Sequence, residues 1–117
     1  ARAIVSKFRN RLFNITLGMD ITPECDCFNK TELPIVPDQG IFASVDPVAV
    51  DQAAYDKVIA APGYPGCLME GTGGMRPGGD KVAACHGKLT DTDRYMEFIQ
   101  KAGIGSLEYE LQDISQK

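Results

Sequence analysis

Two stretches without periodicity, residues 20–37 and 62–79, limit what this 117-residue chain can build. The first holds Pro23, Pro34 and Pro37; the second is rich in proline and holds seven glycines, at 63, 66, 71, 73, 74, 78 and 79. Proline removes a backbone donor and fixes φ, and glycine gives up the most conformational freedom on ordering, so neither stretch can run through a helix or a sheet interior. Regular structure is confined to the segments between them. Loops of this length in a compact domain are usually functional or disordered.

Residues 1–9 place Ala1, Ile4, Val5 and Phe8 at helical spacing. Residues 12–19 alternate: Phe13, Ile15, Leu17 and Met19 point one way and Leu12, Asn14, Thr16 and Gly18 the other, as in a strand with one face buried. Gly40–Ser44 reads as a short buried strand. Asp46 is placed to cap a helix that Pro47 opens, and the helix ends near Ala61 at Pro62-Gly63. Asp80 caps a short helix through Cys85, which Gly87 stops. Thr90 or Asp91 caps a last helix, with Tyr95, Met96, Phe98, Ile99 and Ala102 on its buried face and Gly103 at its end. Leu107, Tyr109 and Leu111 alternate with polar residues, as in a closing strand.

Strands interleaved with helices predict an α/β architecture: a small sheet of about three or more strands with packed helices. Residues 1–117 form a single α/β domain on this reading. Because the chain opens at Ala1 inside a helical pattern, it reads as a domain cut from a longer protein, a fragment of a larger α/β domain, or as a processed product. Its sheet would then continue into upstream sequence or a partner, including a second copy as a homo-oligomer.

Net charge is −4, which argues against nucleic acid as a partner. Arg2, Lys7, Arg9 and Arg11 form the one basic cluster and read as a solvated helix face. No apolar run is long enough to span a membrane, and no signal peptide is visible, so a cytoplasmic location with reduced thiols is expected.

Chemistry concentrates in Glu24-Cys25-Asp26-Cys27. Neighbouring carboxylates disfavour a thiolate, so two thiols among them make sense chiefly if a cation reverses that effect. Cys25 and Cys27 are therefore candidate metal ligands, for zinc or an iron–sulfur cluster. A redox dithiol and an inert structural pair are the alternatives. Cys67 and Cys85 would complete a four-thiolate site, although no short spacing pairs them; otherwise they are small buried hydrophobes. His86, the only histidine, is a further candidate ligand or a partner for a helix end. Asp38 and Asp26 are expected beside the cysteines as supporting groups. Asp46 and Asp51 stand five apart on a helix and do not form an acid–base pair. The glycine-rich stretch matches no phosphate-binding pattern. It reads as a lid or connector, with Arg76 able to close over a cofactor.

The segments Ile21–Cys27, Pro34–Ser44 and Asp46–Ala53, with Asp80-Lys81, His86, Gly103–Ser106 and Glu108–Leu111, resemble the C-terminal part of an uncharacterised iron–sulfur-centre family. That family is classed as a domain of unknown function. Many members carry a ferredoxin module with two [4Fe–4S] clusters. The resemblance spans residues 12–112. It implies an iron–sulfur-associated redox protein of undefined reaction, with a ferredoxin-like upstream domain as partner. The ferredoxin Cys-x-x-Cys runs are absent here, and Cys67 and Cys85 match no characteristic cysteines of the family. Two other functions compete: a structural or assembly domain with no cofactor of its own, and an enzyme half-site using Cys25 and Cys27 as a redox couple.

Overall fold

The computed structural model describes residues 1–8, 11–25, 27–30, 32–87 and 91–114. Arg9, Asp26 and Thr90, each singled out above, lie outside the described residues. Along the chain run helix α1 (Arg2–Lys7), strands β1 (Asn14–Gly18) and β2 (Gly40–Ser44), helix α2 (Pro47–Ala60), a 3-10 turn at Gly73–Met75, and helices α3 (Lys81–His86) and α4 (Thr92–Lys101).

β1 and β2 pair antiparallel, from Asn14 opposite Ser44 to Gly18 opposite Gly40. Helices and strands are thus mixed, but the sheet has two strands among the described residues, not three. The expected closing strand does not join it. Tyr109, Glu110 and Leu111 instead flank a crevice with Phe42, Ala49 and Val50. There Tyr109 Oη donates to Asp56 Oδ2 at 2.7 Å. Side-chain anchoring to α2 holds this segment where its alternation predicted ladder pairing.

The sheet packs on α2. Phe42, Val50, Ala53 and Ala54 form one buried cluster, and the two alanines let helix and sheet approach closely. Thr16 Oγ1 donates to Asp51 Oδ1 at 2.7 Å across the same interface. The buried face of β1 is therefore the one bearing Thr16 and Gly18. The more apolar alternation, Phe13, Ile15, Leu17 and Met19, is exposed.

Asp46 caps α2 as its sequence context predicts: Oδ1 accepts from Val48 N and Ala49 N at 2.8 and 3.1 Å. Its second oxygen, Oδ2, accepts from Ser106 N at 2.9 Å, so one carboxylate also fastens the segment after α4. A side chain at Gly105 would overlap Asp46, which fixes glycine there. Asp80 and Asp91 cap α3 and α4 through Ala83 N and Arg94 N. Gly87 and Gly103 follow these helices with φ of 72° and 70°, where glycine is favoured. On α4 only Met96 is fully buried, and Tyr95 and Phe98, expected inside, are exposed. The helix meets its neighbours along too narrow a stripe to cover them.

A second cluster joins the two aperiodic stretches: Ile35 and Val36 from the first pack with Ala61, Cys67 and Met69. The glycine-rich stretch is not an open lid. Gly63 N donates to Met75 O at 2.9 Å and Gly78 N to Ile59 O at 2.8 Å. Fully buried Lys81 donates from Nζ to Ile59 O, Arg76 O and Gly79 O at 3.0, 3.1 and 3.4 Å. One ammonium thus ties the end of α2, the glycine-rich stretch and the start of α3 together, and burial pushes its pKa down. Among the described residues no helix is long and apolar enough to cross a membrane.

Candidate functional site

The cysteine loop is fixed at both ends by backbone bonds. Ile35 N donates to Ile21 O at 2.8 Å and Tyr64 N to Ile35 O at 3.0 Å, so the loop returns onto the core. Asp38 Oδ1 accepts from Asp20 N at 3.0 Å, and Asp20 adopts a φ of 47°, uncommon for a residue with a side chain. Asp38 thus stabilises the turn where the chain leaves β1.

Within the loop, Phe28 N donates to Cys25 O at 2.8 Å and Thr22 Oγ1 to Glu24 O at 2.9 Å. These bonds fold the chain back at the cysteines. Cys25 and Cys27 are both exposed. Interaction with the Cys25 thiol, with a smaller contribution from Glu24, pushes the Cys27 thiol above its ordinary value. A depression of about 260 Å³ opens beside Cys25, with Glu24, Glu32, Phe28 and Lys30 around it. Glu32 Oε2 is buried there with no hydrogen-bond partner among the described residues. A buried carboxylate oxygen left so is costly, and a cation would relieve it.

His86 holds the loop down from the end of α3. Its Nε2 lies 2.8 Å from Pro23 O; a carbonyl only accepts, so this nitrogen carries the proton. Nδ1 faces Glu24 Oε1 at 3.9 Å. With Nε2 committed to Pro23, only Nδ1 is left to serve as a ligand.

The four cysteines separate into two pairs. Cys67 is buried in the second cluster, with Sγ 3.8 Å from Met75 Sδ. Cys85 packs against the same cluster. Burial pushes the Cys85 thiol up, and Cys67, Glu32 and Glu24 add to the effect. Among the described residues no three or more of His, Cys, Asp and Glu stand ready as one metal-binding group. Cys67 and Cys85 thus belong to the second cluster, whereas Cys25 and Cys27 are exposed. Asp46 and Asp51 serve helix capping and strand–helix linkage, as their spacing indicated. Arg76 is exposed, and its carbonyl is held by Lys81.

Sequence reasoning missed Glu32 and Lys81 in these settings. Neither sits in a recognisable motif. Lys81 at the first position of a helix looks solvated, and only the close return of the glycine-rich stretch buries it.

The donor set suits a metal in part. Two thiols beside two carboxylates match the preferences of zinc or ferrous iron. For Cys67 and Cys85 to complete an all-cysteine cluster with Cys25 and Cys27, Cys67 would have to leave its buried place in the second cluster.

Residues 1–56 match a family described as a domain of unknown function, DUF362. The matched stretch contains β1, the cysteine loop, β2 and most of α2. It includes Cys25 and Cys27 and stops short of Cys67, Cys85 and His86. No curated protein and no solved structure matches the chain.

Proposed function

We propose that this chain is a thiolate metal-site domain of a redox-associated protein, in which Cys25 and Cys27 act as one unit and supply two ligands to a metal ion or iron–sulfur centre. The observation that carries this reading is the exposed Cys25/Cys27 pair beside a depression that Glu24 and Glu32 also line, with Glu32 Oε2 buried and unpartnered among the described residues. Without a cation, that setting holds Cys27 protonated and makes it a poor nucleophile at neutral pH. With one, the same carboxylates and thiols become favourable donors. For zinc or ferrous iron, the carboxylates of Glu24 and Glu32 border the same depression as Cys25 and are candidate oxygen donors. An iron–sulfur centre would supply one-electron transfer, and its remaining ligands would come from a ferredoxin-like or other neighbouring domain. His86 positions the loop by fixing Pro23.

A second reading has its own support. Both thiols are free and exposed and stand one residue apart in the chain, and an internal disulfide between them would make the pair a two-electron couple without metal.

Titration with Zn²⁺ separates the two. On the metal reading, Zn²⁺ releases protons on binding and protects Cys27 from alkylation, and both effects vanish in a Cys25→Ser/Cys27→Ser variant. Proton release that survives in that variant would overturn the reading. A wild-type pair indifferent to Zn²⁺ yet reversibly oxidised at cytosolic potentials would favour the couple.

A further inference from the structure

Opposite α2, the two-stranded sheet presents a face that is exposed among the described residues. The register pairs Ile15 with Ala43 and Leu17 with Ile41, so these side chains share one side. Phe13, Met19 and Val45 extend the same alternation just beyond the strands. Phe13, Ile15, Leu17, Met19, Ile41 and Val45 are between 45% and 68% exposed. None of them carries a charge or a side-chain hydrogen-bonding group.

We propose that this face is the interface of a homodimer, in which the sheets of two copies pack face to face about a twofold axis. Three observations select a second copy as the occupant. First, the six large side chains expose on the order of 600 Å² of apolar surface. That is at the upper end of the patches monomers tolerate and close to the roughly 800 Å² per partner of a standard stable interface. Second, a twofold contact must be self-complementary, and a purely apolar face meets that condition where a charged one would oppose itself. Third, the charges at the two ends of the sheet differ in sign. Arg11 precedes β1, whereas Asp20 and Asp38 flank the Gly18–Gly40 end, and all three are exposed. Opposed copies with antiparallel strands bring Arg11 of each toward Asp20 and Asp38 of the other. Charge complementarity at a rim chiefly fixes orientation, which is the role required here. The apolar face itself contains neither Cys25 nor Cys27, so the proposal stands or falls apart from the metal reading.

Sedimentation equilibrium of the 117-residue chain across the micromolar range is the test. A species of twice the 12.7 kDa chain mass is expected. Leu17→Glu and Ile41→Lys should each weaken self-association by about 100-fold or more, because each leaves a charge unpaired in an apolar contact. Both sites are over half exposed, so the monomer fold, followed by circular dichroism, should be unchanged. Ile4→Glu, at an equally exposed apolar site on α1, should leave the dimer intact. A wild-type chain that stays monomeric overturns the proposal and gives the face to a different protein or domain. Self-association that survives both Leu17→Glu and Ile41→Lys overturns it as well.

Discussion

Lys81 shows how much a single side chain can hold in this molecule. Its ammonium satisfies three carbonyls from two segments, the end of α2 and the glycine-rich stretch, while fully buried. Lys81→Met keeps the apolar stem and removes the charge, leaving those carbonyls without a donor. We expect a loss of about 2–4 kcal/mol, read as a lower denaturant midpoint at unchanged slope. Tyr109 acts through one bond. Its hydrogen bond to Asp56, aided by partial burial and the aspartate charge, raises the phenol from the ordinary 10 to about 12. The folded state therefore holds that proton more tightly than the unfolded chain. The stabilisation is complete below pH 10 and is lost as pH rises through about 12. The stability difference between wild type and Tyr109→Phe should be constant to pH 9 and shrink between pH 10 and 12. Neither role is visible in the sequence, because each depends on which distant carbonyl or carboxylate the fold delivers.

At the scale of elements, local signals were the most legible. Asp46-Pro47, Asp80, Asp91, Gly87 and Gly103 mark helix ends through caps and positive φ, and the structure uses each of them so. β1 and β2 form where their patterns place them, but β2, expected to be buried, is buried only at Phe42. What the patterns could not give was which face finds a partner. The alternation in residues 12–19 is the same whichever side α2 covers, and α2 covers the side with Thr16 and Gly18. The alternation at Leu107–Leu111 likewise fits a strand but says nothing of a free sheet edge beside it. Asp46 joins two elements, so Asp46→Ala should cost more than a simple cap, about 2–3 kcal/mol against the usual ~1. Hydrogen exchange should show Val48, Ala49 and Ser106 amides losing protection together. Protection retained at Ser106 would mean that the segment after α4 is held by other contacts.

At the scale of the whole molecule, the mixed helix–strand character and the position of the cysteine loop between two strands were readable. The loop's proline content and lack of periodicity marked it, and its carboxylate-flanked thiols are the basis of the metal proposal. The partition of the four cysteines into an exposed pair and a pair at the core was not readable. Separations of 39 and 17 intervening residues carry no geometry, and burial of Cys67 follows from the packing of Ile35, Val36 and Met69 around it. The match of residues 1–56 to a family of unknown function gathers Cys25 and Cys27 with both strands, and leaves the reaction open to measurement. The most direct test of the central claim is metal and sulfide analysis, with a visible absorption spectrum, of the anaerobically purified chain. The account predicts bound zinc or iron that is lost in the Cys25→Ser/Cys27→Ser variant while the fold persists. A folded wild-type chain without metal, or metal retained in the double variant, would contradict it.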